Sequence, residues 1–200
     1  FVANQYKYPD IYLKQKFARY YPKGESGAHF IGYLNRINQK DVKRLKKLNK
    51  FDSYIGGDHI GKTGIEYFYE ERLHGQPGYK TIEVDAHNHV VRTLKSVAPK
   101  HGEDIILNIN YKLQQVAEKA FGKYKGAMVA IDPNNGAVLT YVSQPSFDSN
   151  LFINGIDEVN WKKLNDSTHK PLINRVVSGL YPPGSTLKPF VALAALENNI

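Results

Sequence analysis

An α+β fold in two parts is what this sequence predicts, and three observations carry the prediction. Apolar residues alternate with period two in pairs of short runs around polar turns, at residues 81–94 and 127–142, which is the pattern of β-hairpins. Helical patterning with recognisable stop and start residues falls between them. The texture also changes near Pro99 and Gly102, from aromatic and basic to a more regular succession of strands and helices, so a domain boundary is expected there.

In chain order, residues 1–36 mix aromatics, prolines and lysines without a period. They are read as irregular β structure, with a strand-like piece at residues 11–13 and a turn at Pro22, Lys23 and Gly24. Asn38 stands where an N-cap would precede a strongly basic helix over residues 40–50, whose Val42, Leu45 and Leu48 make its apolar stripe. A second helix is expected from Thr63 to His74, stopped by Gly75. Strands at residues 81–84 and 90–94 flank a polar turn at 85–89. Residues 105–109 read as another strand. Asn110 then caps a helix with Leu113, Val116, Ala117, Ala120 and Phe121 at i, i+3, i+4, i+7 and i+8. The second hairpin turns at Asp132-Pro133-Asn134-Asn135-Gly136, residues that tolerate positive φ.

Composition narrows the function classes. With 42% hydrophobic residues in 200, the chain can bury one sizeable core or two smaller ones. Cysteine is absent, which rules out disulfides and thiolate zinc sites and leaves the compartment open. The longest apolar runs, such as residues 190–196, fall well short of the roughly 20 residues that span a bilayer. The chain begins at Phe1 without a methionine and ends at Ile200 inside an apolar helical pattern, so it is expected to be a piece of something longer. Its net charge of +8 sits in the first quarter, where residues 1–50 carry 12 basic against 3 acidic side chains. Such a face is ordinarily just solvated, and nucleic acid is the least favoured partner.

One segment carries chemistry. Tyr181-Pro182-Pro183-Gly184-Ser185-Thr186-Leu187-Lys188-Pro189 leads into the apolar run 190–196, so a proline-glycine elbow opens a helix of buried type with Ser185 at its N-terminus. Residues three apart on a helix share a face, about 5 to 6 Å between Cβ atoms. Ser185 is therefore the candidate nucleophile and Lys188 the base that takes its proton. A lysine must be neutral for that task, which near pH 7 costs roughly 5 kcal/mol against the ordinary value of about 10.4. The apolar flank is expected to supply part of the desolvation.

Three decoys surround this signal. Ser167-Thr168-His169-Lys170 repeats the S-x-x-K spacing but runs into Pro171, and the residue before a proline is pushed out of helical geometry. Gly56-Gly57-Asp58-His59-Ile60-Gly61-Lys62-Thr63 fits a phosphate-binding loop, yet polar, basic residues precede it where that loop needs a buried strand. A nucleotide binder is thus the less favoured alternative. His87 and His89 have ligand-like spacing in a turn, but two ligands make a poor metal site.

Beyond Tyr181 to Phe190, the segments Ile131-Asp132-Pro133, Ser143-Gln144-Pro145-Ser146-Phe147-Asp148 and Asn150-Leu151-Phe152 resemble class B penicillin-binding proteins, and within them the elongation-specific transpeptidases. Ile60-Gly61-Lys62 and Leu73-His74-Gly75-Gln76 carry the likeness into the first half. The resemblance implies a noncatalytic pedestal of mixed β/α structure over residues 1–100. Residues 101–200 would then open a penicillin-recognising, serine β-lactamase-like α/β transpeptidase domain. It implies that Ser185 attacks the penultimate D-Ala carbonyl of peptidoglycan stem peptides, that β-lactam antibiotics acylate the same serine, and that neither cofactor nor metal takes part. The Ser185 amide would supply one oxyanion donor. The pedestal would dock a membrane-embedded glycan polymerase and a rod-shape scaffold protein, so a noncatalytic partner-binding module is the alternative description of this piece. The whole would be periplasmic, anchored to the inner membrane by an N-terminal segment absent here. The family's S-x-N triad and later K-T-G triad have no counterpart after Lys188, so the piece alone is expected to be inactive, with the helix from Ser185 to Leu196 lacking the elements that would bury it and Lys188 solvated.

Overall fold

A computed structural model describes residues 18–54, 59–87 and 89–199. The strand expected at 11–13 lies outside them. The chain divides into two compact units. One holds the chain up to Leu107 together with Phe147–Lys163, and the other holds Asn108–Ser146 and the chain from Leu164 onward.

In the first unit a short helix α1 (Ala28–Ile31) follows the turn at Pro22 to Gly24, where the Gly24 amide donates to the Tyr21 carbonyl at 3.1 Å. Strand β1 (Leu34–Arg36) pairs antiparallel with β2 (His59–Gly61). Among the described residues 18–36, α1 occupies part of what composition predicts as irregular β structure. Helix α2 (Gln39–Lys47) has the predicted Asn38 cap: the Asn38 side chain accepts from the Lys40 and Asp41 amides, and Asp41 accepts from the Asn38 amide. It buries Leu45 and ends earlier than expected, the chain turning left-handed at Asn49 (φ 54°).

The single helix expected from Thr63 to His74 is two, α3 (Gly64–Phe68) and α4 (Glu70–His74), broken at Tyr69. The Glu70 carboxylate after the break accepts from the Gly61 amide at 2.6 Å and the Tyr54 hydroxyl at 3.0 Å, contacts that periodicity does not encode. Hairpin strands β3 (Tyr79–Val84) and β4 (Val90–Val97) lie as predicted. Residues 105–109 form no strand, and Ile106 is exposed.

Residues distant in sequence close this unit. Phe147 and Phe152 are buried; Phe147 meets His29 edge-on at 5.1 Å, and Phe152 stacks on Tyr33 at 4.1 Å. The Ser149 hydroxyl donates to the Gly32 carbonyl at 2.9 Å, and the Asn150 side chain both accepts from and donates to the Tyr21 backbone at 2.9 Å. Beside them Glu66, 4% exposed, receives Arg19 at 2.9 Å and the Tyr21 hydroxyl at 3.2 Å. Burial and the charge of Glu66 hold the Tyr21 phenol far above its ordinary range.

In the second unit, helix α5 (Tyr111–Phe121) has the predicted Asn110 cap, which accepts from the Leu113 amide at 3.1 Å. Its inward face differs from the apolar stripe in the sequence: Gln114 and Ala117 are buried, while Leu113 and Val116 are exposed. Gln114 earns the interior place by hydrogen bonding, since its amide donates to the Tyr141 carbonyl at 2.9 Å and accepts from the Tyr141 amide at 2.8 Å. The strand it pairs with is β6 (Val138–Gln144), the partner of β5 (Gly126–Ile131) in the predicted hairpin. Asp132 organises the turn, accepting from the Asn134 amide at 2.9 Å. Helix α6 (Glu158–Asn165) belongs mostly to the first unit, and α7 (Arg175–Ser178) and α8 (Lys188–Glu197) to the second, so the architecture is mixed α+β.

Candidate active site

The site is built on the turn that leads into α8. Pro182 and Pro183 have fixed φ, and Gly184 at φ 54° supplies the left-handed step that a side chain would resist. Residues Gly184–Leu187 then wind as a 3₁₀ turn. The Thr186 amide and hydroxyl both donate to the Pro183 carbonyl, at 3.3 and 2.5 Å. The Lys188 amide donates to the Ser185 carbonyl.

Ser185 thus lies in a 3₁₀ turn that runs without interruption into α8, rather than in the α-helix itself. Residues i and i+3 eclipse one another in such a turn, so Ser185 and Lys188 share one side of it. Pro189 sits in the first helical turn, where a missing amide hydrogen has no acceptor to lose.

As expected of the piece alone, α8 is open to solvent. Phe190, Val191, Leu193 and Leu196 are 59% to 73% exposed, α8 buries none of its residues, and Lys188 is exposed with them. An apolar helix left this open has not met the surface that its composition calls for.

The second S-x-x-K copy takes another shape. Lys170 is left-handed at φ 46°, its amide donates to the Ser167 carbonyl at 3.1 Å, and its ammonium reaches the Asn165 carbonyl at 3.3 Å. The copy is a closed turn before Pro171, which is buried.

Of the phosphate-loop pattern, Gly56, Gly57 and Asp58 lie outside the described residues. Lys62 is described, and its ammonium is ion-paired with Asp41 of α2 while its amide donates to the Tyr33 carbonyl at 3.0 Å. Strand β2 lies within the motif rather than before it. His87 and His89 sit in the β3–β4 turn, where their amides donate to Asp85 at 2.8 and 2.9 Å. Those two bonds, His89 first, hold the Asp85 carboxyl below its usual range. Among the described residues no group of three or more His, Cys, Asp or Glu is placed to hold a metal ion, and no helix is long and apolar enough to cross a membrane.

Sequence reasoning passed over the residues that hold the segment before the elbow. The Tyr141 hydroxyl donates to Asn174 at 2.9 Å, and Ser143, 4% exposed, bonds both the Ile173 carbonyl and the Arg175 amide. Single polar residues on a strand carry no periodic signal that would have revealed this.

Comparison with known proteins places these features. Residues 1–107 match the family described as Penicillin-binding Protein dimerisation domain, and residues 126–200 match Penicillin binding protein transpeptidase domain. The peptidoglycan D,D-transpeptidase MrdA of Escherichia coli K12 is 44% identical over 200 residues, all of this chain and 32% of the relative. MrdA of Acinetobacter baumannii is 45% identical over 196 residues, 98% of this chain and 29% of the relative. The chain therefore spans about a third of the length of the curated relatives it matches. Among solved structures, Pseudomonas aeruginosa PBP2 in complex with WCK 5153 is similar with a TM-score of 0.75 at 48% identity, over 90% of this chain and 35% of that one. Helicobacter pylori PBP2 in complex with MreC is similar with a TM-score of 0.78 at 37% identity, over 90% and 33%.

Proposed function

Because the chain belongs to the penicillin-binding proteins, we propose that the full-length protein is a peptidoglycan D,D-transpeptidase in which Ser185 is acylated and Lys188 accepts its proton. The observation that carries this reading is the unbroken turn from Gly184 into α8, with the Lys188 amide bonded to the Ser185 carbonyl. Residues 1–100 are proposed as the pedestal and residues 101–200 as the start of the transpeptidase domain.

The chemistry follows from the residue types. The Ser185 hydroxyl attacks the penultimate D-Ala carbonyl of a stem peptide as a neutral Lys188 amine takes its proton. The tetrahedral intermediate expels terminal D-Ala, which leaves protonated, and an amine from a neighbouring stem then displaces the acyl-serine. A β-lactam places its ring carbonyl in the same position, and ring opening leaves a stable acyl-serine. The Ser185 amide is free of an intrahelical acceptor at this end of the helix and serves as one oxyanion donor.

Partners follow from the relatives. A rod-shape scaffold protein as partner is supported by the Helicobacter pylori PBP2 complex with MreC; its docking on the pedestal, with a membrane-embedded glycan polymerase beside it, is part of the proposal. A periplasmic location with an inner-membrane anchor fits that assembly.

The test is labelling of the full-length protein with a fluorescent penicillin. Ser185→Ala is expected to abolish labelling and Ser167→Ala to leave it. The 200-residue piece alone should label at least about 100-fold more slowly, since one oxyanion donor alone is typically worth that much. Equal labelling of piece and whole would show later segments to be dispensable.

A further inference from the structure

Ser185 sits at the end of a short segment, and what fixes that segment fixes the nucleophile. On the proposed transpeptidase reading, we propose that Arg175 is a positioning residue for Ser185, acting with Ser143 of β6 as a latch that sets where the elbow begins.

The geometry is specific. The Arg175 guanidinium donates through Nη1 to the carbonyls of Lys170 at 3.1 Å and Ile173 at 3.3 Å, and through Nη2 to the carbonyl of His169 at 2.5 Å. One side chain therefore gathers three carbonyls of the preceding loop. Its own amide donates to the Ser143 hydroxyl at 3.0 Å, and that hydroxyl donates on to the Ile173 carbonyl at 3.2 Å. Tyr141, two residues along the same strand, holds Asn174 at 2.9 Å. The loop is thus pinned to β6 at Ile173, Asn174 and Arg175, and a planar guanidinium with five donors in a fixed fork suits the clamping role.

Little slack lies between this latch and Ser185. The Gly179 amide donates to the Arg175 carbonyl at 3.2 Å, and a Cβ on Gly179 would lie 2.4 Å from that carbonyl oxygen and 2.5 Å from the Tyr181 ring. Pro182 and Pro183 follow with locked φ, and the Pro183 carbonyl receives both Thr186 bonds. On this proposal a displacement of Arg175 carries forward to Ser185 through Gly179 and the two prolines. The segment that mimics the catalytic motif, Ser167 to Lys170, finds its use here, because the carbonyls of His169 and Lys170 are what the fork holds.

The test uses the full-length protein and separates binding from chemistry. Reversible affinity for a fluorescent penicillin and the acylation rate constant are resolved by rapid mixing for the wild type, Arg175→Ala, Arg175→Lys, Ser143→Ala and the double alanine variant. Arg175→Ala and Ser143→Ala are each expected to slow acylation by about 10 to 100-fold, as a displacement near 1 Å does, with affinity little changed and a modest fall in thermal midpoint from the lost hydrogen bonds. Arg175→Lys should fail to restore the rate, because it keeps the charge and loses the fork. The double variant should be little worse than either single one, as for two parts of one unit. Recovery by Arg175→Lys, or rates that stay at wild type, would overturn the latch. Hydrogen exchange decides independently of activity: Arg175→Ala should speed exchange through Thr186 while β5 and β6 stay protected, and acceleration that stops before Gly179 would overturn it. Should the wild type not label at Ser185, the transpeptidase reading fails, and the exchange result still decides whether the latch exists.

Discussion

Ser167 to Lys170 and Ser185 to Lys188 have the same spacing and the same end residues, yet their backbones part at the fourth position. Lys170 is left-handed, with its ammonium turned back to the Asn165 carbonyl. Lys188 instead continues right-handed at φ −54° and opens α8. A serine and a lysine three residues apart share one side of the chain only where the turn between them keeps one helical sense. The proline after Lys170 ends the first copy, whereas the proline after Lys188 lies where a helix tolerates it. Spacing proposes a pair in both copies, and only the second keeps one helical sense through its lysine.

The difference can be broken most forcefully at the lysines. In the full-length protein Lys188→Ala is expected to lower β-lactam acylation by about 10² to 10⁴-fold, the usual contribution of a positioned proton acceptor. Lys170→Ala should change it by less than about twofold, because only the Lys170 carbonyl is used. Stopped-flow labelling measures both, and equal losses would erase the distinction.

Gly179 connects the two copies. Gly179→Ala forces a Cβ against the Arg175 carbonyl and the Tyr181 ring, so acylation should fall about tenfold by displacement of the elbow. An unchanged rate constant would show that the elbow holds itself.

Stability sharpens the contrast by a smaller amount. Lys170→Gly is expected to stabilise by about 1 kcal/mol, since a left-handed lysine carries a strain that glycine lacks. Lys188→Gly should destabilise by up to about 1 kcal/mol, because the same change there weakens a helix. Opposite signs in urea midpoints are the expected outcome.

The loop around the first copy should also respond to alkali. Burial raises the Tyr141 phenol above its ordinary value, against a smaller lowering by its bond to Asn174. The folded state therefore keeps a proton that the unfolded state releases near pH 10, so this contribution is present below that pH and is lost as pH rises through the folded value. Tyr141→Phe should remove this slope, at a cost of about 1 kcal/mol at neutral pH for the lost hydrogen bond. Thermal midpoints from pH 8 to 11 for the two proteins check it.

Much of this was readable in the residues. The Asn38 and Asn110 caps, the hairpins at 79–97 and 126–144, and the turn at Asp132 rest on local chemistry, which sequence states directly. Other expectations failed where long-range contacts outweighed local pattern. Gln114 displaced Leu113 from the buried face of α5 because β6 had a backbone edge to satisfy. Glu70 followed a break in the 63–74 helix with bonds to Gly61 and Tyr54. Residues 105–109 have strand composition without a strand partner. In the candidate site, the turn that puts Ser185 and Lys188 on one side was legible from the elbow and the spacing, while the bonds of Arg175 and Ser143 were not, since they depend on which carbonyls the fold brings near them.

The most direct measurement is the site of the covalent adduct. The full-length protein is incubated with a penicillin, digested, and its peptides mapped by mass spectrometry. The adduct is predicted on Ser185, in the peptide that contains Pro182, Pro183 and Gly184, with the Ser167 peptide unmodified. An adduct on Ser167, or a protein that stays unmodified throughout, would contradict the account.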